Sequence, residues 1–220
     1  MNLLEVTPKE YHSRLTCNRA NIHAADSFLS KSVIYELDSR SLWKWRFHPR
    51  KMEPTAAMQW GSLVDCLATT PELLAESVAV SPYDSYRTKE ARDWRDAQLA
   101  SKLILTTKDD IEQATAAAKM LTETCKASAD IFAKSKSQVI IAGRVLDVKV
   151  KGLVDLAPEG EDFLADLKTT SDFSAEGFSK AVSNVGYHVQ AGIYHNLWNA
   201  MLPDDQRTRF KYVWLESEAP

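Results

Sequence analysis

The sequence predicts an α/β fold: a central mixed sheet built on an antiparallel three-strand meander, flanked by helices and preceded by a mainly helical N-terminal part. Three observations predict it. Within the first 136 residues, apolar side chains from Thr55 to Ala68 and from Thr107 to Cys125 recur at three- and four-residue spacing, the period of one helix face. From Gln138 the pattern switches to β-branched or alternating runs broken by turn residues, as strands require. Two more helical stretches and a last strand follow.

Taken in order, Thr7-Pro8-Lys9-Glu10 combines a capping box with proline at the first helical position, and Ser30 to Leu37 starts another short helix. An aromatic and basic cluster, Trp43-Lys-Trp-Arg-Phe-His-Pro-Arg50, comes next. Ala57, Trp60, Val64 and Leu67 mark one face of a helix, with Asp65 near its edge and Pro71 closing it. A short strand is expected at Ser77 to Val80, and Tyr83 to Trp94 reads as a polar, mobile loop able to cover a substrate. Thr107 and Asp110 resemble an N-cap pair opening a long helix to Cys125, with Ile111, Ala114, Ala118, Leu121 and Cys125 as its stripe. The meander comprises Gln138 to Ala142, Leu146 to Leu156 and Asp162 to Leu167, split by Gly143-Arg144 and by Pro158-Glu159-Gly160. Helices are expected at Phe173 to Ser183 and Tyr187 to Met201, then a strand at Arg209 to Leu215 after the Pro203-Asp204-Asp205 turn. No repeat or Gly/Ser linker interrupts the chain, so one domain over 1–220 is expected, with residues 137–216 as its catalytic core.

With 220 residues, 45% hydrophobic and 26% charged, the chain has the composition of a globular protein able to fill one core. No run approaches the roughly 18 apolar residues of a membrane span. Met1 to Glu10 lacks a basic region followed by an apolar stretch, so a cytoplasmic location is expected. Cys17, Cys66 and Cys125 are odd in number and far apart, which argues against a disulfide framework or a zinc set and for buried small hydrophobes. A net charge of -3 excludes a polycation, so nucleic-acid binding requires locally concentrated basic residues.

Chemistry concentrates in the meander. Asp155 lies near the end of its second strand, and Asp166 and Lys168 lie on the third, after a tight turn. Residues two apart on a strand share a face, so Asp166 and Lys168 point one way and Leu167 the other. Antiparallel neighbours can thus gather two carboxylates and an amine around one point. Carboxylate oxygens are hard ligands suited to Mg²⁺ or Mn²⁺, which also take a phosphate oxygen from a substrate. Lys168 could orient a water or stabilise charge developing on a phosphodiester. An Asp-x-Lys triplet alone is more often an exposed cross-strand ion pair, so the reading rests on its surroundings. Tyr187, Gln190 and Tyr194 share one helix face, where aromatics, Trp198 included, also read as core or groove lining.

Those surroundings carry a resemblance. Lys151-Gly-Leu-Val-Asp155, then Asp166-Leu-Lys168-Thr-Thr170, then Tyr187-His-Val-Gln190-Ala-Gly-Ile-Tyr194 resemble the PD-(D/E)XK nuclease superfamily, and within it the RecE-type and lambda-exonuclease-type recombination nucleases. The resemblance implies a restriction-endonuclease-like core. It implies that Asp155 and Asp166 bind Mg²⁺, with Mn²⁺ as a substitute, that Leu167 joins them through its backbone carbonyl, and that Lys168 assists catalysis. Gln190 and Tyr194 fill a Q-x-x-x-Y arrangement. The segment Trp60-Gly-Ser-Leu-Val-Asp65 is similar to the helix carrying a Gly-x-x-x-His ligand in such enzymes. Here Asp65 replaces the histidine, and reads equally as a hard-cation ligand or a solvated helix-edge carboxylate. Gln138 stands where relatives carry an acid, and reads as a partner of a metal-held water or as an exposed strand-entry residue. Thr169, Thr170 and Ser171 could bond phosphate, and Arg144, Lys149, Lys151, Lys180 and the Trp43 to Arg50 cluster could add charge or stacking.

The implied function is a Mg²⁺-dependent exonuclease acting at duplex DNA ends in recombination or phage DNA processing. Relatives of that type degrade the 5′ strand as ring-shaped homo-oligomers and work with a single-strand annealing protein. Two alternatives stand beside it: an endonuclease of another branch, or an inactive DNA-binding module, motivated by Asp65 and Gln138. A Cas4-like branch needs four cysteines for an iron-sulfur cluster, and three scattered ones argue against it.

Overall fold

Residues 11–12, 15–49, 53–145 and 147–217 are described by the computed structural model. The predicted capping box at Thr7 to Glu10 lies outside them, as does Arg50 of the aromatic and basic cluster. In chain order the elements begin with α1 (Lys31–Ser39), α2 (Leu42–Phe47), α3 (Ala56–Thr69), α4 (Leu74–Ser77) and β1 (Val78–Val80). They continue with α5 (Lys89–Ala100), β2 (Ile104–Thr106), α6 (Lys108–Lys119), α7 (Lys126–Lys134), β3 (Ser135–Val145) and β4 (Val148–Pro158). The last are β5 (Phe163–Thr170), α8 (Ala175–Val185), α9 (Tyr187–Met201) and β6 (Arg209–Glu216).

The main sheet has the order β3-β4-β5-β6. Strands β4 and β5 are antiparallel, with Leu156 opposite Ala165. Strand β6 runs the same way as β5, because the Arg209 N–H bonds the Asp162 carbonyl at one end (3.1 Å) and the Ser217 N–H bonds the Thr170 carbonyl at the other (2.9 Å). The sheet is therefore mixed and helix-flanked, the α/β class predicted.

The chain divides into two compact units. The first takes Met1–Met52, Gln138–Asp166 and Asp172–Tyr212, and the second takes Glu53–Ser137, Leu167–Ser171 and Val213–Pro220. In the first unit, Ile141, Val150, Val154 and Leu164 of the strands pack on Tyr194, Leu197 and Trp198 of α9. Each such fully buried side chain contributes roughly 1.5–3 kcal/mol of burial. Helix α9 starts where α8 stops at Gly186, whose φ of 70° suits the glycine of a left-handed cap. A Cβ there would also lie 2.5 Å from the Tyr35 ring. A smaller cluster joins Tyr11, Leu15 and Ile140.

The second unit is held by Leu63 and Val64 of α3, Ala114 of α6, Leu121, Leu167 and Leu215. The Thr55 hydroxyl caps α3 by accepting from the Met58 N–H (3.2 Å). Thr107 and Asp110 cap α6 reciprocally, at 3.1 Å each way, as their spacing predicts. Strands β1 and β2 pair in parallel.

Several predicted boundaries are corrected. The helix expected to reach Cys125 leaves α geometry at Met120, where residues Met120–Thr124 form a wider π turn. The Ser128 hydroxyl takes the Leu121 and Cys125 carbonyls, at 2.7 and 3.1 Å, so α7 starts as a separate helix. Cys125 is accordingly exposed rather than buried, whereas Cys66 is buried as expected. The predicted loop from Tyr83 to Trp94 runs into α5, because Thr88 caps that helix and the Tyr83 and Tyr86 rings lie against Trp94 at 6.1 and 6.4 Å. Strand β2 and helix α7 were not anticipated. Among the described residues, no helix is long and apolar enough to cross a membrane.

Candidate functional site

The register of β4 and β5 brings two acids together. With Leu156 opposite Ala165, the next pair along the ladder is Asp155 opposite Asp166, and directly opposed side chains stand on one face, roughly 4.5–5.5 Å apart at Cβ. The turn between the strands is stapled by buried Arg207, whose guanidinium donates to the Pro158 carbonyl (2.8 Å), to the Glu161 carbonyl and to the Asp205 carboxylate (2.8 Å).

Asp166 is 1% exposed and Gln190 7%. From α9, the Gln190 side-chain amide donates a hydrogen bond to Asp166 Oδ1. In the same unit the rings of Tyr187, Tyr212, Phe210 and Tyr194 form a continuous run: Tyr187 to Tyr212 (5.5 Å), Tyr212 to Phe210 (5.2 Å) and Phe210 to Tyr194 (6.3 Å). The Tyr212 hydroxyl donates to the Tyr187 carbonyl at 2.6 Å. Burial pushes the Tyr194 phenol well above its ordinary range, and the charges of Asp166 and Asp155 add to the rise. Tyr194 reaches this place because β4 carries Gly152 beneath it. A Cβ on Gly152 would lie 2.5 Å from Tyr194 Cε1 and 3.1 Å from Ile141.

The second unit holds Asp65, Leu167, Lys168, Thr169 and Thr170. Leu167 alternates away from Asp166 and enters the core with Leu63, Val64 and Leu215, as strand periodicity predicts. Lys168 Nζ donates to the Leu167 carbonyl at 3.4 Å, the oxygen predicted to face a metal. On α3, Asp65 lies one turn beyond Gly61 and so on the same helix face. A Cβ on Gly61 would sit 2.8 Å from the Thr169 hydroxyl, so the glycine lets α3 approach the end of β5. The glycine of the Gly61-x-x-x-Asp65 motif thus has a packing reason independent of any metal.

Among the described residues, no three His, Cys, Asp or Glu side chains converge closely enough to hold a metal ion. The pair Asp155 and Asp166 nevertheless fits a divalent cation. Two opposed carboxylates, Asp166 buried and Asp155 half-buried, repel each other and favour a cation between them. Their oxygens are the hard donors that Mg²⁺ and Mn²⁺ prefer.

Other predicted residues lie elsewhere. Gln138 has φ 53°, a left-handed backbone inside β3 that is unfavourable for a residue with a side chain. Lys151 is 7% exposed, donates to the Tyr11 carbonyl (3.0 Å) and stands 3.9 Å over the Tyr11 ring, so the expectation of a surface charge for DNA is corrected. Lys149 bonds the Ala25 carbonyl and lies over Phe28. Lys180 pairs with Glu176 at 2.8 Å. Thr169 serves the contact with Gly61, and the Thr170 carbonyl accepts from Ser217. A cleft of about 470 Å³ in the second unit, lined by Trp60, Tyr86, Gln59 and Asp110, contains none of the residues predicted to be catalytic.

Sequence reasoning missed Arg207 and Tyr212. The turn residues Pro158-Glu159-Gly160 were a signal that some donor must bind the carbonyls there, but not which donor.

The fold and these residues can be compared with known proteins. A family profile described as a PDDEXK-like domain of unknown function (DUF3799) matches residues 41–214. No curated protein sequence matches the chain. Among solved structures, the chain is similar to a protein of Eubacterium rectale described as a "putative exonuclease", with a TM-score of 0.60 and 15% identity over 98% of this chain and 74% of that one. At that identity the likeness concerns the fold.

Proposed function

Because this chain belongs to the PDDEXK-like domain family, we propose that it is a metal-dependent deoxyribonuclease. The observation that carries the reading is the opposition of Asp155 and Asp166 on neighbouring strands, with Asp166 held by Gln190. In this reading Asp155, Asp166 and the Leu167 carbonyl hold Mg²⁺ or Mn²⁺, and Asp65 is a further candidate ligand. A divalent cation, when bound, supplies Lewis-acid activation of the phosphodiester. Lys168 stabilises negative charge developing on the phosphate, and Gln190 fixes the Asp166 carboxylate so that its second oxygen keeps one orientation. Tyr187, Tyr194, Thr169, Thr170 and Gln138 are assigned supporting places around this centre.

The finer reading follows from the resemblance of the Lys151 to Tyr194 block: exonuclease action at duplex DNA ends, 5′ to 3′, in recombination or phage DNA processing. A ring-shaped homo-oligomer, a single-strand annealing partner and a cytoplasmic location belong to the same proposal. The test is degradation of end-labelled linear duplex with Mg²⁺, with Mn²⁺ and with chelator. Cleavage only with metal, lost in Lys168→Ala while metal binding is retained, is the expected result. Full activity of Lys168→Ala would overturn its assignment, and rapid cutting of covalently closed circles would replace the exonuclease reading with an endonuclease.

A further inference from the structure

The first unit displays an aromatic and basic knob that the proposed cleavage chemistry does not use. In α2, Leu42, Trp43 and Phe47 are 70%, 61% and 58% exposed, the three largest exposures among the described large apolar residues. Trp43 and Phe47 stand four apart, on one helix face, with ring centroids 5.9 Å apart. The His48 ring lies 4.7 Å from Trp43. The exposed Lys44 and Arg46 interleave with them, and Arg46 lies 5.3 Å over the Phe47 ring.

This knob is held rigidly from behind. Trp45, between the exposed rings, is 3% exposed. The Arg19 guanidinium lies 4.8 Å over its ring and donates to its carbonyl at 2.5 Å. Glu36 takes Arg19 at 2.9 Å and Arg40 at 2.5 Å, and Arg40 in turn donates to the His48 carbonyl at 2.9 Å. Burial alone would raise the Glu36 carboxyl, but the two guanidiniums outweigh it and hold it below the ordinary carboxylate range. The clamp thus stays ionised, and the exposed rings project from a fixed backbone.

Charge selects the occupant. From Ser39 to Met52 the sequence has five Lys or Arg residues, three aromatic residues and no Asp or Glu, in a protein whose net charge is -3. A polyanion with flat, apolar, accessible rings matches both features, and a single nucleic-acid strand offers them, since unstacked bases lie open to aromatic side chains. We propose that α2 is a docking site for single-stranded DNA, with Trp43 and Phe47 stacking on bases and Lys44 and Arg46 contacting phosphates. The choice of DNA as the polyanion rests on the nuclease reading.

The test is binding of fluorescent duplexes, blunt or single-strand-tailed, to the full chain in chelator, so that nothing is cut. The wild type should favour the tailed duplex. The double variant Trp43→Ala/Phe47→Ala should weaken tailed binding by about thirtyfold or more and leave blunt binding nearly unchanged, as the loss of base stacking on two rings predicts. Lys44→Ala/Arg46→Ala should reduce the salt slope by about one to two. All four positions are exposed, and circular dichroism checks that folding is unaltered.

Unchanged tailed binding in both variants would overturn the proposal, as would a wild type that does not bind tailed DNA. So would a loss of self-association in Trp43→Ala/Phe47→Ala with DNA affinity intact, which would make the knob a contact between copies. Cleavage with Mg²⁺ is scored separately. A wild type that binds through α2 but never cuts removes the nuclease reading alone, and cutting with α2-independent binding removes this proposal alone.

Discussion

Gln190 donates from α9 to Asp166 on β5, with both side chains buried. A neutral amide thereby occupies one oxygen of a carboxylate that has little contact with water. The arrangement makes the orientation of Asp166 depend on a helix far away in sequence.

Gln190→Ala should destabilise the metal-free protein by about 1–3 kcal/mol, since a buried acceptor loses its donor. Urea denaturation in chelator measures this. Mg²⁺ affinity, read by calorimetry, should fall in the same variant. If stability and affinity are both unchanged, Gln190 does not hold the carboxylate.

Gly152→Ala places a methyl 2.5 Å from Tyr194 Cε1. Overpacking of this kind costs about 1–3 kcal/mol. A second substitution, Tyr194→Leu, removes the obstructing ring, so the double variant should be more stable than the sum of the two single losses implies. Additive losses would show that the ring does not require the glycine.

Arg207→Ala should lower stability by about 1–3 kcal/mol, because the Pro158 and Glu161 carbonyls lose a buried charged donor while the Asp205 carboxylate stays half exposed. Arg207→Lys should not restore it, because one ammonium cannot reach two carbonyls and the Asp205 carboxylate as a planar guanidinium does. Amide hydrogen exchange should increase first in the turn between β4 and β5.

The Asp162 carboxyl is drawn down from 3.8 to about 2, chiefly by the Arg209 guanidinium and then by the Thr208 hydroxyl. A depressed folded value stabilises the protein above the unfolded value, and that contribution is lost as pH falls from 3.8 towards 2. Arg209→Ala should return the NMR-detected titration of Asp162 close to its ordinary value. The pair is solvent-exposed, so added salt should weaken the shift in the wild type.

Much of this protein was determined by its sequence alone. Period-two alternation put Asp166 and Leu167 on opposite faces of one strand, although which residues Leu167 packs against, Leu63 and Val64 among them, was not local information. The Thr107 and Asp110 cap and the α9 span from Tyr187 to Met201 were equally legible, because capping and helix period act within a few residues. What the tertiary structure decided are the contacts between distant segments. Nothing local to Lys151 says that Tyr11 will cover it, and nothing local to Gly152 says that Tyr194 will rest on it. The opposition of Asp155 and Asp166 needed the strand register, which a single-residue slip would have destroyed by turning one carboxylate to the other face. The sequence thus named the two acids, and the register put them on one face.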